Sequence, residues 1–182
     1  MSNFGVFIDL NLLAMPHNAQ YFIDQLGMTP HPEGGYYKET YRSEEIFSQE
    51  ALPERYPSKR CHVTSIYFLL ETKEFSTFHR LRTTELWHFH TGTALELHMI
   101  DADGNLTTQH IGSDIANGEL LQTVIPTGSW FAIRVIAPDS FALIGCTVAP
   151  GFEFEDFELA KREELIKLYP QHTQVITQFT RS

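Results

Sequence analysis

The stretch Phe-His-Arg-Leu-Arg-Thr-Thr-Glu-Leu-Trp-His-Phe-His-Thr-Gly, residues 78–92, holds the densest set of side chains able to do chemistry, with His79, Glu85, Trp87, His88 and His90. An imidazole titrates near neutral pH, so a histidine beside a carboxylate is a candidate general base with an orienting partner. Side chains alternate along a strand, which puts Glu85 and Trp87 on one face and His88 with His90 on the other. The His88/His90 pair has the spacing of metal ligands on a strand, but a held divalent metal normally needs at least three protein groups. Gly92 turns the chain before Glu96 could close a compact site, so the pair reads as a solvated face or a subunit interface. Cys61 and His62 are adjacent and therefore face opposite ways, which argues against a Cys–His nucleophile pair.

The elements that must position these groups are short and mostly of strand type. Residues 18–26 read as an amphipathic helix with Asn18 as N-cap and Gly27 as stop. His31-Pro32-Glu33-Gly34-Gly35 reads as a flexible turn and not a phosphate loop, since it lacks a downstream Gly-Lys-Ser/Thr. Residues 36–42 form an aromatic strand, and 43–59 a polar surface loop with Pro53 and Pro57. Strand-type runs follow at 61–70, 75–81, 85–90, 94–100, 106–111, 120–125, 129–135 and 141–148, separated by Gly, Pro and Asp turns. Many short strands at this spacing indicate an all-β sandwich or barrel. Residues 157–168 read as a helix with acids at its start and Pro170 beyond its end. The expected organisation is a loose N-terminal extension at 1–17, one domain at 18–172 and a tail at 173–182.

The motif at 78–92 resembles the first motif of the cupin superfamily, with His79, Glu85 and Gly92 on its template, and Pro126-Thr127-Gly128 matches the start of the second motif. His31-Pro-Glu-Gly-Gly-Tyr-Tyr-Lys-Glu-Thr-Tyr-Arg42, Ser65–Leu70 and Ala149–Ala160 narrow the resemblance to the small single-domain cupins of the cupin-5 type, over about residues 22–170. The resemblance implies a cupin double-stranded β-helix (jelly-roll barrel) with short flanking N- and C-terminal helices, and a homodimer. It also implies that His79, Glu85 and Trp87 line the barrel, and Arg82-Thr83-Thr84 reads as a short turn that makes the strands on either side neighbours. A metal cupin carries histidines where this chain has Leu81 and Phe131, so no metal and no cofactor is expected. The His79–Glu85 arrangement is more similar to the metal-free dTDP-4-dehydrorhamnose epimerases, which implies an epimerase or isomerase with His79 and Glu85 catalytic. A catalytically silent binder of a small polar, carbohydrate-like molecule remains the alternative, as does a metal enzyme with a reduced ligand set. Tyr67, Trp87, Phe131 and His98 are candidate ligand contacts, Tyr67 being the candidate second acid–base group. Large aromatics in a barrel are also ordinary core. The face of His98 is open: Leu95, Leu97 and Met99 would put it outside, whereas a tighter turn at Gly92-Thr93 would lay it opposite Trp87.

Composition bounds the partners. The 182 residues carry 13 Lys+Arg against 23 Asp+Glu, a net charge of −10 at pH 7. That balance repels phosphate backbones and anionic lipid, so no nucleic-acid or membrane partner is expected. No run approaches the about 20 apolar residues of a membrane helix. Residues 1–15 lack the basic start and cleavage site of a signal peptide. Two cysteines, Cys61 and Cys146, exclude a disulfide framework and suit a reducing compartment, so a cytoplasmic location is expected.

Overall fold

The computed structural model describes residues 17–181, so the extension expected at 1–17 lies almost wholly outside the described residues. The chain opens with α1 (Ala19–Leu26), where the Asn18 side chain accepts from the Tyr21 N–H and Gly27 closes the helix, as expected. It continues through β1 (Thr29–Pro30), β2 (Tyr36–Arg42), β3 (Ile46–Phe47), β4 (Arg60–Cys61), β5 (Thr64–Glu71), β6 (Phe75–Leu81) and β7 (Glu85–Gly92). Then come β8 (Leu95–Ile100), β9 (Leu106–Ile111), β10 (Gln122–Ile125), β11 (Trp130–Val135), β12 (Phe141–Val148), β13 (Phe157–Leu159), α2 (Arg162–Leu168) and α3 (Thr173–Gln178).

Two antiparallel sheets face each other, in the orders β1-β2-β5-β12-β7-β10 and β13-β6-β11-β8-β9. Apolar side chains at alternate positions explain the closure. On β8, Leu95, Leu97 and Met99 are buried inward while Glu96 and His98 take the other face. These residues meet Phe68, Trp87, Phe131, Ile133 and Ile144 in one core between the sheets. The outer face of the second sheet is covered in turn: Phe78, Ile100 and Trp130 pack against Leu165, Ile176 and Phe179. On the first sheet, α1 closes over Leu69 and Leu143. No helix among the described residues is long and apolar enough to cross a membrane.

Four expectations are corrected. The run at 61–70 breaks at His62-Val63 into β4 and β5. The helix expected over 157–168 begins only at Arg162, because Phe157–Leu159 pairs with β6 instead. The segment expected to be a tail at 173–182 forms α3, whose Ile176 is fully buried with Phe179 just beyond it. Finally, Arg82-Thr83-Thr84 is not a hairpin turn joining neighbours: β6 and β7 lie in opposite sheets, so His79 and Glu85 approach from facing walls.

Candidate active site

Between the sheets lies a cavity of about 270 Å³. Alternation along each strand builds its walls: Thr64, Ile66 and Phe68 from β5, His79 and Leu81 from β6, Glu85 and Trp87 from β7, Cys146 and Val148 from β12. The mouth is framed by Tyr37, Glu39 and Arg42 of β2 and by the loop Phe152–Phe154. The turn after β1 completes the inner surface with His31 and Glu33.

That turn is held by two main-chain bonds, His31 N–H to the Gly35 carbonyl and Gly34 N–H to the His31 carbonyl. Gly34 and Gly35 sit at φ 115° and 73°, where a side chain would also strike the Phe75 and Leu69 carbonyls. The forced turn drives Glu33 into the barrel. Its Oε2 lies 2.9 Å from His79 Nε2, and its Oε1 accepts from the Ser76 hydroxyl at 3.0 Å. A register shift between β6 and β11 lets Ser76 and His79 reach the same carboxylate.

The protonation of His79 follows from its partners. Its Nδ1 lies 2.7 Å from the Thr77 carbonyl, which can only accept, so Nδ1 carries a hydrogen. Its Nε2 faces the Glu33 carboxylate, so it donates as well, and the ring is an imidazolium. Burial would lower its pKa, but the charge and hydrogen bond of Glu33 outweigh that and raise it. Burial likewise would raise Glu33, and His79 holds it below the usual carboxylate value instead. His31, 3.4 Å from Glu33, is pushed down by burial and stays neutral near pH 7.

Glu85 behaves oppositely. It accepts the Trp87 indole N–H at 2.6 Å through Oε2. Burial, aided by the Glu33 charge and opposed by His79 and the Trp87 bond, pushes its pKa up to about 7. The Cys146 thiol in the same wall is pushed well up, first by burial and then by Glu85 and Glu33, so it stays protonated. The carboxylate partner of His79 is therefore Glu33, not Glu85 as expected, and Glu85 is a separate group poised at neutrality.

The other expected contacts divide. Trp87 lines the cavity. Phe131 is fully buried behind it: it pairs with His79 across β11–β6, and its ring packs 4.0 Å from the imidazole as a backing wall. Tyr67 is corrected, because it points to the outer face, beside α1 and 5.5 Å from the His90 ring. His98 is outside too, bonded to Glu96 and Thr108 and set against Phe179. The tyrosine that the cavity does present is Tyr37.

The donor set does not fit a cupin metal. Leu81 and Phe131 offer no lone pairs, and both nitrogens of His79 are engaged. Among the described residues no three His, Cys, Asp or Glu side chains are placed to hold an ion.

The family model described as "Cupin superfamily (DUF985)" matches residues 20–160. A solved structure of protein SO0799 from Shewanella oneidensis is 44% identical over 91% of this chain and 98% of its own, with a TM-score of 0.81. A hypothetical protein from Leishmania major is 35% identical over 91% of this chain and all of its own, with a TM-score of 0.82. The uncharacterized protein YML079W of Saccharomyces cerevisiae is 30% identical over 88% of this chain and 84% of its own.

Proposed function

The chain belongs to the cupin superfamily, in its DUF985 family, and from that premise we propose that its barrel binds a small polar ligand and moves a proton on it without a metal. The observation that carries this reading is Glu85: a buried carboxyl with a pKa of about 7, facing a compensated His79–Glu33 ion pair across a cavity. Acid–base catalysis is most efficient when the pKa of the group lies near the working pH. Glu85 takes a proton from a carbon next to a carbonyl and returns it to the same or the neighbouring carbon. The His79–Glu33 pair, fixed by Thr77 and Ser76, holds the wall opposite Glu85 rigid and electrically balanced. Tyr37 supplies a hydroxyl at the mouth to hold the ligand or to give a second proton. The reaction class is an isomerisation or epimerisation of a hydroxycarbonyl compound. At about 270 Å³ the cavity lies just below the range of drug-sized ligand sites, which suits a molecule of monosaccharide size.

One observation favours a catalytically silent binder: both ring nitrogens of His79 are committed to the protein, so Glu85 would act without help from that imidazole. The two readings separate in heavy water. Dihydroxyacetone, erythrulose and fructose, incubated with the protein in D₂O, are expected to gain deuterium beside the carbonyl. Glu85→Gln should slow this by about 10²-fold or more. Ligand-induced shifts in the Trp87 indole signal without any exchange would establish the silent binder.

The homodimer and the cytoplasmic location remain part of the proposal. The first is supported by the open edge of β2, and the second by Cys61 and Cys146 being free, buried thiols.

A further inference from the structure

The charge of the ligand can be read from the cavity, on the premise that this cavity is the ligand site. Four carboxylates line it, those of Glu33, Glu39, Glu85 and Glu153, against one guanidinium, that of Arg42. Arg42 is fully engaged. Its Nε and Nη2 donate to Glu39, its Nη1 donates to Glu153 at 2.7 Å, and Nη2 also reaches the Phe152 carbonyl. One cation between two carboxylates leaves the mouth with a net negative charge. Deeper in, the imidazolium of His79 is matched by Glu33, and His31 is neutral. What remains is Glu85, about nine-tenths buried. Its Oε2 is taken by Trp87, while Oε1 has no hydrogen bond to any described residue.

An anion entering this cavity meets like charge and no uncommitted cation. A cation meets a free carboxylate oxygen. The rest of the wall reinforces the difference, because Tyr37, Phe68, Trp87, Phe154 and Phe157 present aromatic rings, whose faces attract cations. Phe154 stands half exposed at the mouth, with its ring stacked toward His31.

We propose that the cavity selects a small organic cation, an amine- or quaternary-ammonium-bearing molecule of about monosaccharide size, with Glu85 as its counter-ion and the aromatic wall around its carbon skeleton. Phosphorylated and nucleotide-linked sugars are excluded by the same arrangement.

Three probes of one outline and different charge test this: choline, 3,3-dimethylbutan-1-ol and 3,3-dimethylbutanoate. They are titrated into the intact protein at about pH 8, where Glu85 is mostly ionised, and followed by the Trp87 indole N–H signal. Choline is expected to bind at least about tenfold tighter than the neutral alcohol, with the butanoate weakest. Glu85→Gln should remove most of that lead while leaving the alcohol unchanged. Glu153→Gln, at the exposed mouth, frees Nη1 of Arg42 and should raise butanoate affinity several-fold; this variant decides if Glu85→Gln does not fold. The proposal is overturned if the butanoate binds as tightly as choline, if choline shows no saturable binding, or if neither variant narrows the gap between them. Deuterium exchange on a hydroxyketone without a preference for choline would remove this proposal and leave the proton-transfer reading intact. A preference for choline without exchange on any substrate would do the reverse.

Discussion

Glu33 Oε2 and His79 Nε2 sit 2.9 Å apart inside the barrel, one delivered by a glycine turn ahead of β2 and the other by β6 in the opposite sheet. Each residue keeps the other charged in a place where neither would be charged alone. Breaking a buried pair costs more than the pair contributes, because the survivor is left uncompensated.

Glu33→Gln is therefore expected to lose about 3–5 kcal/mol in urea denaturation at neutral pH. It should also lower the pKa of His79, since burial is then opposed only by the Thr77 carbonyl and the Glu85 charge. The wild-type pH dependence has two limbs. Glu33, held low, contributes stability above the normal carboxylate range, and this is lost as pH falls through its folded value. His79, held high, contributes below its normal value, and this is lost as pH rises through its folded one. Histidine ring NMR across this range reads both. An imidazole that titrates at its ordinary pKa in both proteins would show that the pair does not form.

A second buried pair should behave alike without touching the cavity. Arg60 is wholly buried and donates through Nε and Nη2 to both oxygens of Asp156, each at 2.7 Å, tying β4 to the loop ahead of β13. Arg60→Met is expected to cost about 3–5 kcal/mol, and the double variant with Asp156→Leu to recover much of it. Additive losses in that cycle would count against a coupled pair.

The open edge of β2 sets a third expectation. The short β1 covers only Tyr36 and Tyr37, leaving Lys38–Arg42 paired on the β5 side alone, with Tyr41 about half exposed. Free edges of this kind are seldom left bare. Light scattering at micromolar concentration should give a dimer mass, and Tyr41→Pro should shift it toward monomer. A wild-type monomer would remove the dimer from the proposal.

The strands and the Glu85–Trp87 face were legible because period-2 alternation is local. Tyr67 was not, because β5 is apolar on both parities, Ile66 and Phe68 on one and Tyr67 and Leu69 on the other, so composition does not say which face is inside. The acids at Asp156 and Glu158 looked like a helix first turn. They serve instead as partners of Arg60 and Arg80, contacts distant in sequence. Glu33 escaped for the same reason: its partner comes from another sheet. The available signal was a carboxylate placed directly before two glycines, where a forced turn decides which way it points.

Glu85 supplies the last prediction, because its raised pKa reverses the usual behaviour of a carboxylate. Unfolded, it titrates near the ordinary carboxylate value of about 4.5; folded, near 7. The folded state thus holds this proton more tightly. Its favourable contribution is complete below the unfolded pKa and is lost as pH rises from about 4.5 to about 7. A shift of that size corresponds to about 3 kcal/mol. Glu85→Gln keeps an oxygen to accept the Trp87 N–H and removes the ionisation. The variant should therefore be more stable than wild type at about pH 8, by about 2–3 kcal/mol, and equal to it at about pH 4.5. A variant that abolishes proton transfer while stabilising the fold is the pattern expected of a site held under electrostatic strain for function. Urea denaturation of both proteins at the two pH values decides it. A loss of stability at about pH 8 would mean that the ionised carboxylate is a structural partner and not a strained catalytic group.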